Sequence, residues 1–282
     1  MNNLKALSLG SQMLKSNGIR NYILDSELLL ANVLNLTREK LLVNLDNKIR
    51  ENYFNKYIKF ISRRKKNEPI AYILKKKEFW KYNFFVNKDV LIPRPETEII
   101  VEETLKIVSL KSSASILDVG TGSGCIIVSI IKNRPNCKGI ALDISKNALK
   151  IAKINAKIHH LQNKINFFNI DIDKFNGNKY DFILSNPPYI TSIDFKRLEN
   201  NVNIFEPKIA LEAGKDGFKE IKKLIKKSVK LLKNNGRLIF EIGKNQLNRS
   251  KYLLKKNGFY INKICNDYSS NPRVIISTKL NK

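Results

Sequence analysis

Apolar positions in the first part of the chain recur at helical spacing. In residues 52–63, Phe54, Tyr57, Ile58 and Ile61 fall on one helix face. In Asp25–Leu34 an Asp-Ser start precedes an apolar run, the pattern of a helix N-terminus. Breaks at Asn17-Gly18 and Asp46-Asn47 separate such segments, so residues 1–75 are expected to form a small helical bundle, an adaptor or substrate-docking module. Between Glu78 and Leu91 the pattern changes to Phe79, Trp80, Tyr82, Phe84, Phe85 and Val86, which predicts a short β-hairpin joining two domains, with the linker at 76–94. Next comes Ile92-Pro93-Arg94-Pro95-Glu96-Thr97-Glu98, where prolines stiffen the chain ahead of a helix with a Glu-rich first turn.

Residues 95–282 are expected to form the second domain. From Ser115 strands and helices alternate in it. Ser115–Val119, Lys138–Asp143, 165–170, Tyr180–Ser185 and 237–242 read as strands. Helices are expected at 125–132, from the Ser145 cap to about His160, and over 217–233. Such alternation implies an α/β fold with a parallel sheet covered on both faces.

Composition narrows the picture only in part. Apolar residues make up 43 % of the 282, enough for a sizeable core. No run approaches the roughly 18 apolar residues of a membrane span, and 1–10 is too mixed for the apolar core of a secretory signal. The chain therefore reads as cytoplasmic, with no membrane partner. Cys125, Cys137 and Cys265 have no metal-ligand spacing, and the adjacent His159 and His160 cannot share a helix face, so no metal is expected. The net charge of +27 favours phosphate backbones, including proximity to ribosomal RNA. An AT-rich genome produces the same spread of Lys, Asn and Ile.

Chemistry enters at the strand ends. Ser115–Val119 runs into Gly120-Thr121-Gly122-Ser123-Gly124 and a helix follows at once, so bare backbone can approach a ligand there. The spacing is G-x-G-x-G, after the acidic Asp118, rather than the G-x-G-x-x-G that cradles a pyrophosphate. A carboxylate suits the cationic sulfonium and ammonium of S-adenosylmethionine. Asp143, ending the second strand, is placed to accept both ribose hydroxyls. Asp171 and Ile172, at the end of the third, are placed to flank the adenine. At the end of the fourth strand stands Asn186-Pro187-Pro188-Tyr189. Asn186 Oδ1 and the Pro187 carbonyl can each accept one N–H of a conjugated NH2, Pro188 stiffens the loop, and Tyr189 offers a flat face. Two acceptors orient such a poor nucleophile and draw charge from its hydrogens, so catalysis is mostly positioning and electrostatics. Asn186, Pro187 and Tyr189 are the expected catalytic residues, with Asn186 also reaching the cofactor.

With these motifs in place, nearly the whole chain resembles the bacterial release-factor glutamine methyltransferases (the PrmC/HemK family). The resemblance rests on Glu68-Pro69-Ile70-Ala71-Tyr72-Ile73, Glu78-Phe79-Trp80 and Leu91 to Glu98. It extends through the glycine loop, Asn186 to Ile190, Phe205-Glu206-Pro207, Ala210-Leu211 and Asp216-Gly217. It implies a seven-stranded, Rossmann-like class I methyltransferase domain behind the helical one. It also implies methylation of the Gly-Gly-Gln glutamine of class 1 peptide-chain release factors, by an enzyme acting as a monomer. Arg94 and Glu96 would brace the site. The chain departs from the family at Lys75 and Ser270, where relatives commonly have glycine, and at Ile172, where some place an aromatic. The Asn-Pro-Pro-Tyr loop alone also fits a nucleic-acid methyltransferase acting on adenine N6 or guanine N2.

Overall fold

The computed structural model describes residues 1–280. The chain divides into two compact units, 1–76 with 199–205, and 77–198 with the chain from Glu206 onward. The first unit packs α1 (Asn3–Lys15), α2 (Tyr22–Leu34), α3 (Arg38–Leu42), α4 (Glu51–Lys65) and α5 (Ile70–Leu74) around Leu14, Leu29, Leu30, Tyr57 and Ile61. Helix α2 begins three residues before the expected Asp-Ser start, and tertiary partners explain why. The Asp25 carboxylate accepts from Arg64 Nε at 2.7 Å, and Ser26 Oγ lies 2.5 Å from Tyr57 Oη. Those side chains are committed to α4, so they do not cap α2.

In the second unit β1 (Lys77–Phe79) and β2 (Tyr82–Phe84) form the hairpin, paired antiparallel. Phe79 and Phe84 are buried in this unit's core, and Asn155 bonds both the N–H and the C=O of Phe85. The hairpin is thus built into the second unit. A 3-10 turn (Pro95–Thr97) leads into α6 (Glu98–Ile107) and then β3 (Ser115–Val119), α7 (Cys125–Asn133), β4 (Lys138–Asp143), α8 (Lys146–Ile158), β5 (Ile165–Asn169) and β6 (Tyr180–Ser185). Helix α9 (Ser192–Phe195) follows, while α10 (Asn200–Asn203) falls in the first unit. The chain ends with α11 (Lys219–Leu231), β7 (Leu232–Glu241), α12 (Leu247–Lys256), β8 (Phe259–Asn266) and β9 (Pro272–Lys279).

The seven strands run in the order β5-β4-β3-β6-β7-β9-β8. Strands β5 to β7 are parallel, whereas β9 is antiparallel to both its neighbours. Central strands are covered on both faces: successive residues Ile116 and Leu117 belong to different apolar clusters. Strand order reverses at β3, which has β4 on one side and β6 on the other. In open α/β sheets this reversal opens a crevice beyond the strands' carboxyl ends. No helix among the described residues is long and apolar enough to cross a membrane.

The first unit contains a close approach that tests its packing. A Cβ on Gly10 would sit 1.8 Å from Tyr57 Oη and 3.0 Å from Ser26 Oγ. Although alanine is the better helix former, Gly10→Ala is expected to destabilise the first unit by about 1–3 kcal/mol through overpacking. Denaturant unfolding followed by circular dichroism checks this, and a stabilised variant would contradict it.

Candidate active site

At the strand-order reversal lies a cavity of about 710 Å³, lined wholly by the second unit. The glycine loop forms one wall. Gly120 and Gly122 take φ of +70° and +55°, and nothing crowds the space a Cβ would fill at Gly120. The loop is sewn to the end of β4: Gly120 N–H and Thr121 N–H both donate to the Leu142 carbonyl, and Gly122 N–H donates to Asp143 Oδ2 at 2.9 Å. Gly124 serves another purpose. A Cβ there would press to 3.3 Å on Ala152 Cβ, so this glycine lets α7 start against α8 and does not line the cavity.

Asp143 lies on the cavity wall, its Oδ1 accepting from Ser145 N–H at 2.8 Å. Burial pushes this carboxyl above its usual range, against the pull of the Ser145, Gly122 and Ile144 N–H groups. One oxygen bonded to each flank fixes the carboxylate plane and leaves lone pairs over. Asp118 instead is fully buried and off the cavity wall, accepting from Thr121 Oγ1 at 2.7 Å. Burial lifts it to about 7, and the Asp143 charge adds to the rise. Its task is to hold the glycine loop from beneath, not to face a cationic ligand.

Asp171 and Ile172 line the cavity too. Asp171 caps the 3-10 turn Ile172–Lys174 and accepts from Lys223 Nζ at 3.0 Å. Burial raises its carboxyl, but the Asp173 N–H and the Lys223 ammonium outweigh that and hold it below the usual range. Lys223, on α11, also lines the cavity; its place among many lysines gave no sequence signal.

Across the cavity, β6 delivers Asn186, Pro187 and Pro188 to the wall. Asn186 Nδ2 donates to Thr97 Oγ1 at 2.9 Å, and Thr97 Oγ1 donates to Glu241 Oε2 at 2.7 Å. Among the described residues, the hydrogen bond of the Asn186 side chain is made by its Nδ2, which leaves Oδ1 as its acceptor end. Tyr189 differs from its expected place. It is not a cavity-lining residue; its ring packs on the apolar cluster of β6 and β7, and its hydroxyl donates to Glu241 Oε1 at 3.3 Å. Burial and the Glu241 charge push that phenol well above its ordinary range, so it stays protonated. Arg94, at the cavity rim, pairs at 2.5 Å with Glu206, whose other oxygen accepts from Ile92 N–H. That buried carboxylate fastens Pro93-Arg94 to Pro207-Lys208, both of which line the cavity. Among the described residues no group of three or more His, Cys, Asp or Glu is placed to hold a metal.

Comparison with known proteins decides the family. Residues 5–74 match the PrmC N-terminal domain, and residues 110–275 match a methyltransferase domain. The release factor glutamine methyltransferase of Clostridium acetobutylicum is 36 % identical over 97 % of both chains. The chain belongs to the release factor glutamine methyltransferase family. A bifunctional methyltransferase of Rickettsia felis is 33 % identical over 98 % of this chain, which spans 58 % of that longer protein. A methyltransferase structure from Pyrococcus furiosus, 19 % identical, superposes with a TM-score of 0.54 over 78 % of this chain and 98 % of its own, and shows the shared fold.

The methyl donor of this methyltransferase is S-adenosylmethionine, and the cavity suits it. The open backbone at Gly120 and Gly122, the clamped Asp143 and the part-apolar walls of Ile144 and Ile172 are the groups that would hold it. The volume lies within the range of small-molecule sites.

Two buried carboxyls, Asp118 and Glu241, are raised to about 7, chiefly by burial. Between roughly pH 4 and 7 the unfolded chain releases protons that the folded state keeps, so each carboxyl costs stability as pH rises, at most about 1.4 kcal/mol per pH unit. Asp118→Asn is expected to remove one such contribution. Denaturant unfolding at pH 5 and 6.5 checks this: a stability loss unchanged from the wild type would contradict it.

Proposed function

We propose that the protein transfers a methyl group from S-adenosylmethionine to the side-chain amide nitrogen of the glutamine in the Gly-Gly-Gln motif of class 1 peptide-chain release factors. The observation that carries this reading is the fixed Asn186 amide on the cavity wall, with its NH2 held by Thr97 and Oδ1 left as its acceptor end. The match to the C. acetobutylicum enzyme over 97 % of both chains supports the substrate. On this reading residues 1–75 grip the release factor, and 76–94, whose hairpin is built into the second unit, joins 95–282 in carrying out transfer, as a monomer in the cytoplasm.

A primary amide is a weak nucleophile because its lone pair is delocalised into the carbonyl. Asn186 Oδ1 and the Pro187 carbonyl accept its two hydrogens, which fixes the nitrogen and compensates the positive charge that grows on it. Pro187 and Pro188 keep that loop from relaxing away. S-adenosylmethionine supplies an electrophilic methyl whose bonding pair stays on sulfur as the C–N bond forms. The methylated nitrogen then releases one proton to water. Gly120 to Ser123 and Asp143 hold the donor, with Asp171 and Ile172 near its adenine, while Gly124 lets α7 start against α8.

Incubation with labelled S-adenosylmethionine tests the substrate. Label is expected in wild-type release factor and absent from its Gly-Gly-Ala variant and from bulk nucleic acid. Label in nucleic acid alone would replace the glutamine by an exocyclic base amine.

A further inference from the structure

Asn186 does not act unaided. We propose that Thr97 and Glu241 are positioning residues for the transfer, fixing which end of the Asn186 amide faces the substrate. This rests on the reading of Asn186 as acceptor for the substrate amide. Neither residue contacts the reacting atoms on this account. Thr97 is 2 % exposed and Glu241 1 %, and they come from distant parts of the chain, the 3-10 turn before α6 and the end of β7.

The supply of protons decides the orientation of the amide. A hydroxyl has one to donate, and an ionised carboxylate can only accept. With Glu241 ionised, Thr97 must direct its proton to Oε2, so only lone pairs face Asn186. The Asn186 amide then has one satisfied orientation: NH2 toward Thr97, Oδ1 toward the acceptor. Flipped, it would set oxygen against oxygen at Thr97 and turn its NH2 against the hydrogens it should accept. Tyr189 occupies the other carboxylate oxygen of Glu241, which completes the fixation.

Protonation of Glu241 dissolves this preference. A carboxylic acid can donate to Thr97, whose own proton then turns to Asn186, and both amide orientations become satisfied. Burial raises Glu241 to about 7, opposed by the Thr97 hydroxyl, the Arg273 guanidinium and the Tyr189 hydroxyl, and reinforced by the Glu96 charge. Arg273 stays committed to Asp267 and the Ile242 carbonyl, so it tempers the rise without bonding Glu241 directly.

Two measurements test the relay. In the first, nuclear magnetic resonance follows the Asn186 side-chain NH2 signal of the whole protein, assigned by its loss in Asn186→Ala. It is expected to shift with pH with a midpoint near the Glu241 value of about 7, and to lose that midpoint in Glu241→Gln. A signal that ignores pH in the wild type overturns the relay, whatever the substrate. In the second, single-turnover transfer to release factor is compared with S-adenosylmethionine affinity by calorimetry. Thr97→Val is expected to slow transfer about 10- to 100-fold, the loss of one buried hydrogen bond, while affinity holds. Thr97→Ser should recover most of the rate. The wild-type rate should fall below neutral pH, and Glu241→Gln should flatten that limb. Transfer by Thr97→Val at the wild-type rate, or an acid limb kept in Glu241→Gln, overturns the proposal. A titrating Asn186 signal together with no transfer to release factor by the wild type upholds the relay and removes the substrate instead.

Discussion

The parallel register of β3 and β6 sets everything at the site. Val119 stands opposite Ser185, and Ser185 Oγ donates to the Val119 carbonyl at 2.8 Å, locking that register from a buried side chain. One residue later each strand runs into its loop, Gly120 on one side and Asn186 on the other. The two loops therefore leave the sheet side by side and both line the cavity, without a flexible connection. A slip of one residue would turn every side chain of a strand buried on both faces. Positioning catalysis tolerates misplacement of well under an ångström, and a buried sheet register supplies that precision more firmly than a loop can.

Around this frame buried and half-buried carboxylates act as fasteners. Asp118 secures Thr121, Asp143 joins the glycine loop to the start of α8, Glu206 ties Arg94 and Ile92 to the segment after it, and Glu241 orders Thr97 and Tyr189. A buried charge is costly unless hydrogen-bonded. Asp143, Glu206 and Glu241 each have two donors aimed at them, whereas Asp118 has Thr121 alone and its Oδ1 finds no partner among the described residues. Asp118 and Glu241 lie high enough on the pH scale to carry a proton in part near neutrality. The result is a polar lattice behind apolar walls that holds the shape of the cavity.

The parts of the fold written in local pattern were legible. Alternating strands and helices gave β3 to β6, and the glycine and Asn-Pro-Pro-Tyr loops marked the strand ends that line the cavity. Strand β8 escaped because Phe259–Asn266 lies at the sheet edge and mixes polar with apolar residues on both faces. The start of α2 was misjudged because Asp25 and Ser26 bond α4, which no local pattern reports. Lys75 and Ser270, noted where relatives carry glycine, take φ of 54° and 60°, so the backbone demand for glycine persists beneath the substitution. At the site, Tyr189 and Thr97 show the limit most clearly. An aromatic beside a reactive loop invites a stacking role, yet its hydroxyl is bound to a glutamate 52 residues away. Thr97 sits in a proline-rich stretch that reads as a helix start, and only the folded chain brings it to Asn186.

The central claim is a division of labour between two strand ends: the β4 side holds the donor, the β6 side holds the acceptor. The most direct measurement pairs S-adenosylmethionine calorimetry with single-turnover transfer in Asn186→Ala and Asp143→Ala. The account predicts that Asn186→Ala abolishes transfer and leaves donor affinity nearly intact. It predicts that Asp143→Ala weakens donor binding by about 1–3 kcal/mol for lost charge-assisted hydrogen bonds. Donor affinity lost in step with activity in Asn186→Ala, or unchanged affinity in Asp143→Ala, would contradict it.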